Sequence, residues 1–207
     1  MAIRLHAIVP AETEEAVDGG VVDGASLQVT RDIAALITEQ PAFQLDAAPE
    51  AELQSHRKLV DWAFRRGAVL PAPAGALFRS RDVLTRWMEL HYVALSDAIE
   101  FVEDRVAARV HIVRRDADDD DAEAGSDLAA AAAESFRALR RRAVATVPLR
   151  LEQVTGLVLS AAFLVDRDLW GEFEGAVREQ QEAHDVLRFD TTGPWAPYDF
   201  VRMQFGG

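Results

Sequence analysis

Apolar residues in the first part of the chain occur both in short runs and at helical spacings, and the two patterns predict different elements. The run from Ile3 to Val9 is rich in β-branched residues and predicts a strand. A second run, Val21 to Val29, predicts another strand, which we expect to pair with the first. Thr30 is a favourable N-cap residue, and the apolar positions after it predict a helix. The buried face of that helix would consist of Ile33, Leu36 and Ile37.

The next stretch predicts a helix, an extended segment and a longer helix. Pro49 suits the first turn of a helix that continues to Arg66. Its buried face would consist of Leu53, His56, Val60 and Phe64. Gly67 ends this helix, and residues 69–77 are extended because two prolines interrupt them. Ser80 then caps a long helix over residues 80–99, with an apolar stripe of Val83, Leu84, Trp87, Leu90, His91 and Leu95.

The second half of the chain predicts the order strand, helix, strand, helix, strand. The predicted strands cover residues 101–114, 155–166 and 186–192, and the predicted helices cover 127–146 and 168–184. Asp127 and Asp166 are favourable N-caps for the two helices. This order favours a ferredoxin-like sandwich, with helices on one face of an antiparallel sheet.

The two halves together predict an α+β protein made of two small α+β units. We expect an N-terminal α+β domain over residues 1–79 and a bridging helix over 80–99. A C-terminal ferredoxin-like domain would follow over 100–207.

Charge and composition narrow the class of partner. The 207 residues have a formal net charge of −13, so the chain lacks the basic surface that nucleic-acid binding requires. An acidic surface also repels anionic membranes. No apolar run approaches the roughly 18 residues of a membrane-spanning helix, and the first residues do not resemble a signal peptide. We therefore expect a soluble protein that binds neither nucleic acid nor membranes.

Residue types that commonly carry chemistry give little support for an active site. The chain has no cysteine, which excludes thiol catalysis and Cys-based zinc sites. Ser160 lies outside any G-x-S-x-G motif. None of the histidines has the helical spacing of a metal site, although distant ones could converge in the fold. They are His6, His56, His91, His111 and His184. We expect no catalytic residues, no metal and no cofactor.

Two charged clusters are interpreted as solvated. The aspartates over residues 116–121 could attract Ca²⁺, but a loop starting there has Asp121 where an EF-hand needs glycine. Its twelfth position is Asp127 rather than glutamate. A basic cluster late in the predicted helix complements the helix dipole, and a docking patch for an acidic partner is the alternative. The cluster consists of Arg137, Arg140, Arg141 and Arg142.

The most distinctive pattern lies near the end of the chain, in residues 189–201. Gly193 can adopt a positive φ, and the prolines on either side of the tryptophan fix φ at about −65°. The resulting stiff corner aims Trp195 and Tyr198 in fixed directions. One interpretation is that these aromatics close the core of the domain, and the other is that they form a platform for a partner. The candidate partner-binding residues are Trp195, Tyr198 and Phe200.

Four segments along the chain form a recognisable set of motifs. The last one reads Gly193-Pro194-Trp195-x-Pro197-Tyr198-x-Phe200, and Val158 to Arg167 reads as an apolar strand followed by Leu-Val-Asp. Gly67 to Phe78 forms a middle motif, and Leu5 to Val9 an opening strand. Together they resemble the GvpF/GvpL gas vesicle protein family over essentially the whole chain.

The middle motif departs from the family pattern. Where the family usually has Leu-Pro-Leu-Arg-Phe-Gly-Thr, this chain reads Leu-Pro-Ala-Pro-Ala-Gly-Ala over residues 70–76. The arginine, the aromatic residue and the hydroxyl are therefore missing. The usual double proline of the last motif is Ala196-Pro197.

The resemblance implies a non-enzymatic accessory protein of gas vesicle formation that acts in the cytoplasm. It would bind the small hydrophobic shell protein, contact other accessory gas vesicle proteins, and assist nucleation or assembly of the shell. Two alternatives stay open. One is a ligand-binding or enzymatic ferredoxin-like domain with His111 or His184 in a pocket, and the other is a scaffold recruited outside gas vesicles.

Overall fold

A computed structural model of the chain describes residues 1–13, 24–43, 49–115, 122–150 and 156–201. Helices and strands are mixed along the chain, and the strands form two antiparallel sheets, so the predicted α+β class is confirmed. The strands are β1 (Ala2–Pro10), β2 (Ala25–Thr30), β3 (Ile33–Gln40), β4 (Leu70–Pro71), β5 (Leu77–Phe78), β6 (Arg105–Arg114), β7 (Ala145–Pro148), β8 (Leu157–Asp166) and β9 (Leu187–Trp195). The helices are α1 (Glu50–Phe64), α2 (Arg81–Leu90), α3 (Tyr92–Val102), α4 (Ala122–Arg140) and α5 (Trp170–Ala183).

The contacts divide the chain into two compact units. The first contains Met1–Asp104 and the segment that begins at Ala196, and the second contains Arg105–Trp195. Helices α2 and α3, which the sequence placed in a bridging helix, supply core residues to the first unit. The predicted boundaries at residues 79 and 99 stay a prediction. Within the described ranges, no helix is long and apolar enough to cross a membrane.

The first unit is built on a sheet with the strand order β2-β3-β1-β4, and β5 also pairs with β1. One face of this sheet packs against α2 and α3. That core includes Ile3, Leu5, Ile8, Ile33, Ala35, Ile37, Leu84, Met88 and Leu95. Helix α1 also packs against β1, and none of its residues belongs to that core. Residues 33–37 of β3 are all buried, so both faces of this strand are covered.

Burial on both faces explains why the helix predicted after Thr30 is wrong. Residues 33–37 are all buried and form the start of β3. A strand covered on both faces gives a continuous apolar run, which periodicity cannot distinguish from a helical stripe. The predicted partner of the second strand is also wrong, because β2 pairs with β3 rather than β1. Arg31, with φ of 59°, and Asp32 form the turn between them.

Strand β1 contains a bulge at His6. Leu5 pairs with Ile37 of β3 and Ala7 pairs with Leu36, so His6 has no register partner between them. A bulge shifts the alternation of side chains and can re-aim one of them. Here it turns the His6 ring toward α1, which starts after Pro49 as predicted.

The long helix predicted over residues 80–99 is divided into α2 and α3 at His91. Ser80 caps α2 as predicted, because its Oγ accepts a hydrogen bond from the Val83 amide at 3.3 Å. The predicted stripe is only partly buried. Leu84 and Leu95 lie in the core, whereas Val83 and Leu90 are exposed.

The second unit has a four-stranded sheet with the order β7-β8-β6-β9. Helices α4 and α5 both pack on the face that carries Ala108, Val110, Ile112, Ala161, Phe163 and Val165. The predicted strands at 101–114, 155–166 and 186–192 correspond to β6, β8 and β9. The ferredoxin-like assignment of this half stays a prediction.

Two local predictions in this unit are wrong. Helix α4 begins at Ala122, before the predicted cap Asp127, and ends at Arg140, which leaves room for the unpredicted strand β7. Asp166 makes no capping hydrogen bond. Its carboxylate instead accepts a hydrogen bond from the Arg105 guanidinium at 3.2 Å, because the two residues are register partners on β6 and β8.

Candidate functional site

Gly193 sits where the end of β9 passes very close to its neighbours. Its φ is 146°, and a Cβ placed on it would lie 2.7 Å from Cη2 of Trp170 and 2.9 Å from the Ala107 carbonyl oxygen. Any other residue here would clash with both groups. The following Gly193–Pro194 peptide bond is cis. This position therefore requires glycine for space as well as for backbone conformation.

The three predicted partner-binding residues follow directly. Trp195 ends β9, pairs with Ala107 of β6, and is 48% exposed. Tyr198 is 37% exposed and lies in a turn in which its amide donates to the Ala196 carbonyl at 2.8 Å. Phe200 is half-buried. Trp195 thus belongs to the second unit, whereas Tyr198 and Phe200 belong to the first. Their role in partner binding stays a prediction.

The Tyr198 hydroxyl remains protonated over the physiological pH range. The pKa of Tyr198 is raised to about 12, mainly by partial burial and in addition by the nearby Asp61 carboxylate, while Arg57 opposes the shift. The phenol therefore offers a hydrogen-bond donor beside an accessible ring. That combination suits a residue at the rim of an interface.

Strand β9 lies at an edge of its sheet, and the Gln181 side chain of α5 covers its first part. The Gln181 amide group donates to the Leu187 carbonyl at 2.7 Å and accepts from the Phe189 amide at 3.0 Å. These are the backbone groups that an added strand would use. Further along, the strand reaches Thr191 and then the exposed Trp195.

The structure also brings together two histidines that lie 50 residues apart in the sequence. Nδ1 of His6 lies 3.1 Å from Nδ1 of His56, and Nε2 of His6 lies 2.9 Å from the Thr38 hydroxyl. Both rings are buried. His56 also hydrogen-bonds the backbone of Ala72 in the middle motif. His6 and His56 are called the histidine pair below, and Thr38 supplies the hydroxyl that contacts it.

The two facing Nδ1 atoms must play different roles, because one has to donate the hydrogen bond and the other has to accept it. The Thr38 hydroxyl can donate to Nε2 of His6 or accept from it. These polar contacts link β3, β1 and α1 to the middle motif.

The environment keeps both rings neutral. The pKa of His6 is lowered to about 3, mainly by burial and in addition by the charges of His56 and Arg4. Burial likewise lowers the pKa of His56, with Arg4 adding to the shift, while the bond to Ala72 opposes it. An extra proton on either ring would place a charge in the core, and protonation of both rings would leave the two facing Nδ1 atoms as donors.

The middle motif wraps around this pair through its backbone. The Ala72 amide donates to the His6 carbonyl at 2.9 Å, and the Leu5 amide donates to the Ala76 carbonyl at 3.0 Å. Arg4 of β1 donates to the Ala74 carbonyl at 3.5 Å and pairs with Glu52 at 2.6 Å. The Arg4 guanidinium, which lies outside the middle motif in the sequence, thus contacts the backbone of that motif.

A third polar contact joins Ser160 and His111 across β8 and β6. The serine Oγ lies 2.8 Å from Nδ1 of His111, the spacing of a nucleophile and its base. Ser160 is only 4% exposed, however, and Asp190, the register partner of His111 on β9, is engaged by Arg188. We interpret the contact as a cross-strand hydrogen bond that satisfies a buried hydroxyl.

The remaining candidates form no metal site among the described residues. No group of three potential metal ligands occurs there. The aspartate run at 116–121 lies outside the described residues. In the basic cluster, Arg137 and Arg140 lie in the last turn of α4, and Arg142 pairs with Glu172 at 3.6 Å. Arg141 and Arg142 also line a cavity of about 240 Å³ that carries the opposite charges of Asp166 and Glu172.

The sequence did not predict the histidine pair, because two residues that lie far apart in the sequence form no local motif. A weak signal was available. His6 interrupts an apolar strand and His56 lies on the apolar face of its predicted helix, so both are polar residues at core positions. Such residues need partners.

Similarity to known proteins extends over the whole described fold. The family model described as gas vesicle synthesis protein GvpL/GvpF matches residues 3–134 and 121–202. The crystal structure of GvpF from Anabaena sp. PCC7120 aligns with a TM-score of 0.80 at 19% identity, covering 100% of this chain and 98% of that one. GvpF from Microcystis aeruginosa aligns with a TM-score of 0.76 at 16% identity, covering 98% and 99%.

Sequence relatives match over a shorter stretch. Gas vesicle protein F2 of Halobacterium salinarum is 40% identical over 50 residues, and gas vesicle protein F of Haloferax mediterranei is 41% identical over 51 residues. Each alignment covers 24% of this chain and spans about a quarter of the relative, 23% and 24% respectively. The family match covers nearly the whole chain and confirms the resemblance seen in the motifs. The chain therefore belongs to the GvpL/GvpF family of gas vesicle proteins.

Proposed function

We propose that this chain is a non-enzymatic accessory protein of gas vesicle formation. In this proposal it acts in the cytoplasm, binds the small hydrophobic shell protein and assists nucleation or assembly of the shell. Other accessory gas vesicle proteins are its further partners. The observation that supports the proposal most strongly is the family match over residues 3–134 and 121–202.

The exposed end of β9 supports a binding role. Trp195 exposes 48% of its surface at the end of an edge strand, and Tyr198 exposes 37% a few residues later. Tryptophan and tyrosine are enriched among the residues that dominate binding energy. We propose that Trp195, Tyr198 and Phe200, with the edge of β9, contribute to the surface for the shell protein.

The physical need for such a surface follows from the chemistry of the partner. A small, very hydrophobic subunit exposes apolar faces and strand edges before it is incorporated, and both promote aggregation. An acidic protein with a strand edge and accessible aromatic rings can cover those features temporarily. Its formal net charge of −13 would keep the complex in solution.

The test is capture of the cognate shell protein by the co-expressed chain, with the wild type compared to the double variant Trp195→Ala and Tyr198→Ala. We expect the double variant to lose capture while its far-UV circular dichroism is unchanged. Leu169→Ala is a matched control, because Leu169 is 40% exposed and lies outside this segment. Capture by the folded double variant would exclude this surface, and loss of folding would show that the two rings are structural. A wild-type chain that captures no shell protein would contradict the function itself.

A further inference from the structure

A cavity of about 240 Å³ opens on the surface of the second unit, between the end of α4 and the start of α5. Its apolar lining comprises Ala143, Val144, Leu169 and Phe173. Val144 is 44% exposed and Leu169 is 40% exposed, and neither belongs to the core of the unit. Two large apolar side chains thus remain accessible in one concave site, which is called the α4–α5 cavity below.

The fold holds the walls of this cavity in place. The Val144 amide donates to the Leu164 carbonyl at 2.8 Å, which attaches one wall to β8. The Phe173 ring is buried, and its centroid lies 5.4 Å from that of Phe163 in the core. A cavity with fixed walls can accept a side chain without a large loss of conformational entropy.

Arginines are concentrated beside the cavity. Over residues 135–151 the sequence contains five arginines and no acidic residue, although the whole chain has a formal net charge of −13. Arg137 and Arg140 lie in the last turn of α4, and Arg141, the next residue, lines the cavity. All three are exposed, and within the described ranges none of them forms an ion pair.

The two carboxylates that line the cavity already have cationic partners. Asp166 accepts a hydrogen bond from the Arg105 guanidinium at 3.2 Å, and Glu172 pairs with Arg142 at 3.6 Å. Each of these pairs is close to neutral. The charge left over at the cavity is that of Arg141, and it attracts carboxylates.

The exposed surface around the cavity is cationic as well. Two further exposed carboxylates, Glu134 and Asp168, lie nearby in the sequence but do not line the cavity. They are outnumbered by the exposed arginines of the same two segments, which are Arg137, Arg140, Arg141 and Arg167. A partner with carboxylates is therefore favoured over one with lysine or arginine.

The size of the cavity favours a single side chain over a small-molecule ligand. Sites for small molecules usually measure about 300–1,000 Å³. An apolar cavity of roughly 150 Å³ in another protein binds benzene. A volume of about 240 Å³ with apolar walls therefore fits one aromatic or large aliphatic side chain.

We propose that the α4–α5 cavity binds an acidic segment of another protein, with one apolar side chain of that segment inside the cavity. Carboxylates of the segment pair with Arg137, Arg140 and Arg141. Arginine suits this role because its planar guanidinium binds a carboxylate through two hydrogen bonds. Repulsion from the acidic remainder of the chain is screened beyond about 10 Å at an ionic strength of about 0.1 M, so the local contacts decide binding.

This site is separate from the surface proposed for the shell protein. Its lining includes none of Trp195, Tyr198 and Phe200. Its test uses synthetic peptides and therefore does not depend on capture of the shell protein.

Binding is measured by fluorescence anisotropy with the full chain and three synthetic peptides. The first has a phenylalanine between glutamates, the second has serine in place of the phenylalanine, and the third has lysines in place of the glutamates. We expect the first peptide to bind. The other two should bind at least about tenfold more weakly, because each lacks one of the two recognised features. Binding of the first peptide should also weaken as the salt concentration is raised.

The double variant Arg140→Gln and Arg141→Gln should weaken binding of the first peptide about tenfold or more. Glutamine favours helix about as well as arginine, so this variant should fold. The double variant Arg65→Gln and Arg86→Gln is the matched control, because it removes the same charge from two exposed positions outside the site. It should bind the first peptide as the wild type does.

Equal binding of the first and third peptides would show that charge does not select the partner. Equal binding of the first and second would show that the cavity holds no side chain. Either result would overturn the proposal, as would no binding of the first peptide, unchanged binding by the folded variant of residues 140 and 141, or equal weakening by the control variant. A wild-type dimer that the variant of residues 140 and 141 converts to a monomer would overturn it as well, because the occupant would then be a second copy of the chain.

Discussion

At the scale of single residues, Gly193 is a position where the fold leaves no space for a side chain. A methyl group there would meet the Trp170 ring and the Ala107 carbonyl oxygen well inside contact distance. The ring could shift, but the oxygen belongs to the central strand β6. The constraint arises from packing between distant parts of the chain, so the sequence shows only the glycine and not its reason.

We predict that Gly193→Ala lowers the free energy of unfolding by at least about 2 kcal/mol, from the steric conflict and the strained φ together. Urea denaturation followed by circular dichroism measures the change. Gly171→Ala is the control, because nothing lies within 4 Å of a Cβ at that position in α5. It should be neutral or slightly stabilising. Equal stability of both variants would show that β9 relaxes easily.

The histidine pair predicts how stability depends on pH. The ordinary histidine pKa of 6.5 applies to the unfolded chain, while the folded pKa of His6 is about 3 and that of His56 is lowered. Below pH 6.5 the unfolded state therefore binds protons that the folded state does not bind. Stability is fully present above this pH and falls as the pH decreases below it. For His6 the loss is about 1.4 kcal/mol per pH unit until the pH approaches the folded pKa of about 3, and His56 adds to the loss in the same direction.

The effect is measured by denaturation between pH 7 and pH 5, above the range in which most carboxylates titrate. We expect His56→Gln to reduce the pH dependence, because one of the two rings with a lowered pKa is removed. His184→Gln, which leaves both members of the pair in place, is the control for the substitution itself. A pH dependence that His56→Gln leaves unchanged would show that other groups cause it.

At the scale of elements, the start of α2 depends on one side chain. The Ser80 Oγ accepts from the Val83 amide, which would otherwise be unpaired at the helix end. We predict that Ser80→Ala lowers stability by about 1 kcal/mol and that Ser80→Asp retains it. The midpoint of urea denaturation measures both. If Ser80→Ala is as stable as Ser80→Asp, water satisfies the Val83 amide without loss of stability.

The elements also show what a sequence can and cannot predict. Ser80, Pro49 and the apolar run before Asp166 act locally, and the structure confirms the helix starts and the strand that they predicted. The failure at residues 33–37 has a different cause. That segment is apolar because both faces of β3 are buried, a property of the assembled sheet rather than of the segment.

At the scale of the whole molecule, charge controls solubility. The formal net charge of −13 at pH 7 declines to zero near the isoelectric point of 4.8. The mutual repulsion that separates the molecules then disappears, in the same range in which the histidine pair weakens the first unit. We predict a minimum of solubility near pH 4.8, measured by light scattering across pH. A chain that stays monodisperse there would show that its surface is protected by something other than charge.

Family membership was visible in the sequence, whereas the candidate sites were only partly so. Motifs such as Gly193 to Phe200 are contiguous and can be recognised directly. The histidine pair joins β1 to α1, and its bulge at His6 depends on the register of β3, so it exists only once the sheet has formed. The exposure of Leu90 likewise depends on which side of α2 the core occupies.

The Gln181 side chain gives the edge of β9 an unusual property. Its amide resembles a peptide unit in offering an N–H donor beside a carbonyl acceptor, and it already occupies the Leu187 and Phe189 backbone groups. A strand that docks along the whole edge must therefore displace the Gln181 side chain from these two backbone groups. A short partner segment that offers only one or two hydrogen bonds merely replaces those of Gln181. A long, well-matched strand forms additional hydrogen bonds and therefore binds more tightly. The glutamine thus sets a threshold of length for any partner that binds this edge.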